Sequence, residues 1–496
     1  MTQPVAQDMT SSQWLIVLVT GAIVLVTVYA RRQARRHLPP GPHPLPIIGN
    51  ALDFPKSHLG REFRDISLKH GDVSYLKVLG QSIIVIGSYE AACEILEKRS
   101  ANYSNRPESV MVNRTNLDWM FVFQNYTPEW RHYRKAFHGQ FIPARLASYE
   151  PLVTQVNRIL LNNLLSTPEK FSEHLKLAFA AAILRVVYGI DPASSAQPYE
   201  LVKRLSLIAE DISTPGRHPV EAFSFMERLP DWFPLGTGYR KLAEGWRKEI
   251  ADEKSGIKDS ILTRLIEDGE DEKLARNLTA TTYAGERDDA LLMLAMAKFP
   301  DAQRRAQAEL DAVVGHDRLP TFADSPALPY VHALIRETVR WHVVAPIGVP
   351  HRSEQDDEYG GFLIPKGSVV ITNAWAMSRD ERSYPDPEAF RPDRFLTDGK
   401  LDFSVARDPF DYIFGFGRRI CPGMHFADRS LFIHCASILH TMFISPALDV
   451  RGQPRSLDVH MGNEFAIAHI APFQLRITPR DLRRAELIRS SVSTAA

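Results

Sequence analysis

Cysteine is scarce in this chain: 496 residues hold three, Cys93, Cys421 and Cys435. So sparse and odd a set excludes a disulfide framework and suits a reducing compartment. Net charge is lacking too, since 59 Lys and Arg balance 59 Asp and Glu. That removes the bulk attraction on which nucleic-acid binding relies, so no nucleic-acid partner is expected. There is no internal repeat, no Gly/Ser-rich linker and no low-complexity tract, which argues against a solenoid or a string of tethered domains. Length alone suggests about three average domains. The 44% hydrophobic content is enough for one large core instead.

Long apolar runs are nearly absent as well, with one exception. Trp14 to Ala30 reads WLIVLVTGAIVLVTVYA, seventeen uncharged residues, close to the roughly 20 a membrane span needs. A cleaved signal peptide would carry positive charge ahead of the run. Here only Asp8 precedes it, and Arg31, Arg32, Arg35 and Arg36 follow. That asymmetry predicts a signal anchor with the rest of the chain in the cytosol. Sequons at Asn102, Asn113, Asn125 and Asn277 are then chance matches. The prolines of Leu38-Pro39-Pro40-Gly41-Pro42 cannot continue a helix and form a stiff hinge. The expected organisation is a lumenal N-terminus (1–12), a transmembrane anchor (13–30) and a basic, proline-rich hinge (31–44). One large domain (45–480) and a polar tail (481–496) follow.

Beyond the hinge the pattern is mainly helical with a little strand. Val73 to Ile86 has β-branched runs around Gly80, a hairpin signal. Tyr359 to Gly367 repeats that signal around Gly360-Gly361. Ser88 is placed as N-cap of a helix to Lys98. Residues 99–128 are polar and aromatic without period and read as a loop. Trp130 and Arg134 begin a helix and share one of its faces at i and i+4. Glu337 and Arg340 do the same at i and i+3; in isolation such a pair is a solvated surface couple.

The sharpest signal is Phe414-Gly415-Phe416-Gly417-Arg418-Arg419-Ile420-Cys421-Pro422-Gly423. Gly417 and Gly423 permit backbone angles that other residues resist. The helix that follows and Arg419 would favour Cys421 as a thiolate. A lone cysteine is ordinarily an inert buried hydrophobe. These ten residues, however, fit Phe-x-x-Gly-x-Arg-x-Cys-x-Gly at every fixed position, which resembles the haem-binding loop of the cytochrome P450 family. The resemblance implies a mainly α fold with small β-sheets, the P450 fold, preceded by one N-terminal transmembrane helix in the endoplasmic reticulum membrane. It implies haem b, with the Cys421 thiolate as axial ligand to iron. By the same match Arg419, Trp130, Arg134, His351 and Arg106 contact the haem propionates. Glu337 and Arg340, with Arg394 of Phe390-Arg391-Pro392-Asp393-Arg394-Phe395, form a buried ion network that fixes the segment leading to Cys421.

The implied reaction is monooxygenation: one oxygen atom of O₂ enters an organic substrate. The chain has no convincing flavin or nicotinamide motif, so electrons arrive from NADPH–cytochrome P450 reductase, with Arg131, Arg134, Lys135 and Arg418 as a basic docking face. The segment Leu229-Pro230-Asp231-Trp232-Phe233-Pro234 resembles fungal members. Pocket candidates by family position are Ser109–Phe121, Val343–Val349 and Gly462–Ala468. They are largely apolar, and the expected substrate is a small apolar secondary metabolite.

One stretch departs from the family pattern. The distal helix usually carries an acid–alcohol pair that relays protons. Here the region reads Thr279-Ala280-Thr281-Thr282-Tyr283-Ala284-Gly285-Glu286-Arg287-Asp288-Asp289. No register places a Thr at the alcohol position. The segment is about five residues short, roughly 7.5 Å of helix. Thr281, Thr282 and Asp288 are the nearby substitutes. The departure leaves open a haem-thiolate isomerase or dehydratase that does not activate O₂, or an inactive haem protein.

Overall fold

The computed structural model describes residues 20–21, 37–188, 204, 207–214, 216–222, 224–230, 234–251, 289–457, 467–468 and 470–493. The expected membrane anchor lies outside these except for Thr20 and Gly21. Among the described residues no helix is long and apolar enough to cross a membrane.

The predicted hairpins form. β1 (Val73–Val78) and β2 (Gln81–Ile86) pair antiparallel through Val78↔Gln81. Leu79 (φ 51) and Gly80 (φ 94) both take left-handed angles, which a two-residue turn of this hand requires. β3 (His351–Arg352) and β6 (Val369–Thr372) extend the sheet in the order β1-β2-β6-β3, with β2 and β6 parallel. β4 (Asp357–Tyr359) and β5 (Phe362–Ile364) turn through Gly360 and Gly361, both at positive φ. Two further ribbons pair β7 (Leu396–Thr397) with β8 (Lys400–Leu401) and β9 (Met442–Pro446) with β10 (Leu475–Pro479).

Helices make up the rest. α1 (Leu59–His70) covers the sheet, and α2 (Tyr89–Ala92) runs into a π-helical stretch, Cys93–Lys98. Ser88 caps α2 through Ala91 N–H, as expected. The region predicted to be a loop, 99–128, contains a turn at Ser100–Tyr103 and a short helix α3 (Val110–Arg114). Its helical state is set partly from a distance, by Glu221. α4 (Pro128–Gln140) is capped by Thr127 and opened by Pro128, a favoured start. α5 (Glu150–Ser166) packs on α6 (Phe171–Tyr188). α7 (Pro219–Ala222) and α8 (Pro234–Ala251) follow, then α9 (Asp289–Lys298), α10 (Pro300–Val314), α11 (Pro329–Trp341) and α12 (Met424–Thr441). The main core draws on α4, α5, α6 and α9 to α12.

The expected polar tail is instead a helix, α13 (Leu482–Ser493), with Arg484 and Ile488 buried. Arg484 donates to Asp311 Oδ1 at 2.6 Å and to the His440 carbonyl at 3.0 Å. Arg480 donates to the same carboxylate at 2.8 Å. Charges that read as solvated are spent on one partly buried aspartate, a partner 169 and 173 residues away in sequence.

Candidate active site

The frame beneath the site is built from α11. Glu337 and Arg340 are both fully buried, joined at 2.7 and 2.9 Å in a two-pronged pair. Arg394 reaches Glu337 at 3.1 Å. Arg340 also donates to the carbonyls of Ser378, Pro387 and Ala389, and Arg394 to those of Pro385, Asp386 and Ala389. The Arg391 N–H closes the set on Glu337. One carboxylate therefore organises the backbone from 385 to 394. Burial of a charge is tolerated here because each is paired and hydrogen-bonded.

That segment leads to the cysteine loop. Cys421 N–H donates to Phe414 C=O at 2.7 Å, closing the loop on itself. Gly415 (φ 80) and Gly417 (φ 54) take left-handed angles, as expected for Gly417. Gly423 does not: its φ is −89. Gly417 is needed for space as well as angle. A Cβ there would stand 2.3 Å from the Leu96 carbonyl oxygen, in the π-helical stretch. Pro422 and Gly423 precede α12 rather than opening it.

The Cys421 side chain is accessible, yet burial is the largest influence on its thiol and pushes its pKa up. The sulfur thus sits among many protein atoms yet on an accessible residue. N–H groups of Gly423 and Met424 are hydrogen-bonded to it and, with the Arg134 guanidinium, pull the pKa the other way. The cation acting on the sulfur is therefore Arg134, far away in sequence, and not the neighbouring Arg419.

Arg419 points elsewhere. It donates to the carbonyls of Ser104 at 2.8 Å and Gln124 at 2.7 Å and lies 4.1 Å over the Trp130 ring. Arg106 is buried and donates to the carbonyls of Val122, Val349 and Pro350. Burial lowers Arg106 to about 9. Burial, then the charges of Arg106 and Arg134, lower Arg419 to about 8. His351 is buried, bonded through Nδ1 to Tyr103 C=O at 2.7 Å, and held neutral by burial and by Arg106. The structure brings Arg106, Arg134, Arg419 and His351 together. Trp130 joins them by its ring face, while its indole N–H is spent on Phe121 C=O at 3.2 Å.

No carboxylate among the described residues forms an ion pair with Arg106, Arg134 or Arg419. Crowded cations held only by neutral carbonyls suit an anionic ligand with two carboxylates. The donor set thus fits haem: an accessible cysteine, N–H groups steadying its charge, and arginines for the propionates. Sequence reasoning missed Ser104, Gln124 and Asn125, whose backbone and amide groups position Arg419 and Arg106. Ser104 and Gln124 act through backbone carbonyls, which leave no side-chain signature, and Asn125 acts through its side-chain amide oxygen.

A cytochrome P450 family model matches residues 39–253 and 290–455. The chain belongs to the cytochrome P450 family. The break in the match, 254–289, covers the stretch where the distal relay pattern fails. Thr281, Thr282 and Asp288 lie outside the described residues. Cytochrome P450 monooxygenase COX2 of Coprinopsis cinerea is 36% identical over 93% of each chain. Cytochrome P450 monooxygenase 98 of Postia placenta is 35% identical over 99% of this chain and all of its own length. Cytochrome P450 monooxygenase claR of Ampulloclitocybe clavipes is 34% identical over 98% and 95%. This P450 is thus a monooxygenase, using haem b with a cysteine thiolate axial ligand. These relatives give the isomerase or dehydratase alternative no support.

Proposed function

We propose that this P450 hydroxylates a small apolar organic substrate in fungal secondary metabolism. It takes electrons from NADPH through cytochrome P450 reductase and is anchored in the endoplasmic reticulum membrane by residues 13–30. The observation that carries the reading is the accessible Cys421 sulfur, steadied by the Gly423 and Met424 N–H groups, in a site with Arg106, Arg134 and Arg419, none of which pairs with a carboxylate among the described residues. Cys421 would ligate the haem iron through its thiolate. Arg106, Arg134 and Arg419 would hold the propionates, with His351 and Trp130 packed among them. A thiolate-ligated haem supplies the O–O cleavage chemistry.

The protein's own contribution is positional. Gly423 and Met424 N–H groups and Arg134 hold the negative charge on Cys421. The Glu337 frame fixes the backbone that carries the loop. Arg131, Lys135 and Arg418 are exposed, and Arg131 and Arg418 flank the Tyr126 ring. They form the basic face for the reductase, while Arg134 turns inward. The fungal source of the relatives and the apolar segment Val343–Val349 support the substrate class.

Membranes carrying the full chain and a fungal reductase test this reading. The reduced protein with carbon monoxide should show the thiolate Soret band, and labelled O₂ should enter one product oxygen only when NADPH and reductase are present. Label-free product formed without O₂ would overturn it.

A further inference from the structure

A wall of the molecule is made of stretches far apart in sequence, 109–123 and the described residues 207–214, 216–222, 224–230 and 234–246. Met111, Val112, Leu117, Ile212, Val220 and Trp246 are part of their own apolar cluster, separate from the main core. Among the described elements α3 packs on α8 and α7, and α7 and α8 both pack on the turn Ser224–Arg228. Arg114 adds an ion pair to Glu227 and a contact over the Tyr239 ring. The roof is therefore a body of its own.

One side chain joins its two stretches by hydrogen bonds. Glu221, on α7, accepts from Ser109 Oγ at 2.8 Å, Met111 N–H at 2.9 Å and Val110 N–H at 3.1 Å. The contact spans 110 to 112 residues of sequence.

Between this roof and the sheet lies a recess of about 1660 Å³. Val112, Asn113, Ser213, Arg217 and Glu221 line its roof side, and residues 78–81, 349–350 and 352–354 its floor. Cys421 does not line it, but Arg106, Gln124 and Asn125 do. Its inner end is thus the wall of the arginine cluster. The contacts across the seam are weak. Even a Cβ added at Gly216 would come no nearer than 3.9 Å to Phe54, and Glu108, which pairs with Arg352 at 2.8 Å, is 82% exposed. An exposed pair of that kind holds little.

We propose that Glu221 is a positioning residue for ligand entry. By tying 109–111 to α7 it makes the roof open as one piece and keeps Val112 and Asn113 against the seam, so that it selects entering ligands by size. The inference rests on haem lying against Arg106 and Arg419.

The test uses full-length E221A, E221Q and S109A proteins. Two azoles that bind haem iron serve as probes: imidazole, which is small, and 4-phenylimidazole, which is bulky. Their association rates are read from the Soret shift by stopped flow. In E221A the 4-phenylimidazole rate should rise about tenfold, the scale of one charge-assisted hydrogen bond, with imidazole little changed. E221Q and S109A should fall between. Amide exchange at Val110 and Met111 should speed in E221A.

Unchanged exchange at these amides, or the same factor for both azoles, overturns the proposal. So does loss of the carbon monoxide Soret band in all three variants when the wild type retains it, because Glu221 would then support the whole fold. A wild type without that band defeats the haem reading instead, and the exchange arm, which needs no haem, still decides whether Glu221 holds the roof.

Discussion

The cysteine side and the roof are held together in opposite ways. On the cysteine side one fully buried carboxylate, Glu337, binds two arginines that in turn hold five backbone carbonyls, sharing that of Ala389. In the roof one half-exposed carboxylate, Glu221, holds two backbone N–H groups and a hydroxyl. Both use an acid to fix backbone at a distance. Burial makes the first nearly unbreakable without unfolding, because removing a partner strands a charge. Partial exposure lets water replace the second at small cost. A rigid floor that places a metal ligand and a roof that can part for a substrate need these different settings.

The comparison breaks first at Glu337. Glu337→Ala or Arg340→Ala should cost about 3–5 kcal/mol through the charge left unpaired, and the purified variant should show no thiolate Soret band with carbon monoxide. A normal band would mean that the frame is dispensable and that floor and roof are alike. Gly417→Ala comes next. It adds left-handed strain of about 1–3 kcal/mol and a Cβ 2.3 Å from the Leu96 oxygen. Haem content and the melting temperature should both fall; retention of both would show the π-helical stretch yielding.

The third test concerns acid. Burial, then the charges of Arg484, lower the His440 imidazole to about 4. The native protein therefore keeps it neutral, while the unfolded chain binds a proton near 6.5. Its contribution is complete above pH 6.5 and fades as pH falls toward about 4. Proteolysis within α13 should rise across that window, and His440→Asn should flatten the dependence. The smallest effect is on the surface. Lys135→Glu should raise the reductase concentration needed for half-maximal reduction by about fivefold at low salt, less at high salt, with an unchanged carbon monoxide spectrum.

Local patterns carried most of what the sequence told. The hairpins at Gly80 and Gly360-Gly361 were legible because strand residues and turn glycines are adjacent. The cysteine loop was legible because its turn demands fixed residues at fixed spacing. What stayed hidden is non-local. α3 depends on Glu221, and α13 depends on Asp311; neither partner is near in sequence. The arginine named as the thiolate's neighbour, Arg419, was chosen by adjacency, whereas Arg134 reaches the sulfur through the packing of α4. Gly423 was credited with a special angle on the strength of its type alone.

The C-terminal helix bears on how this protein is made. Asp311 and the His440 carbonyl receive Arg480 and Arg484 from the last seventeen residues. While those residues are still inside the ribosome, the aspartate and the carbonyl lack these partners. The domain can collapse during synthesis, but Asp311 gains these partners only once Arg480 and Arg484 have emerged. A chain cut before Arg480 would leave the aspartate without both guanidinium groups.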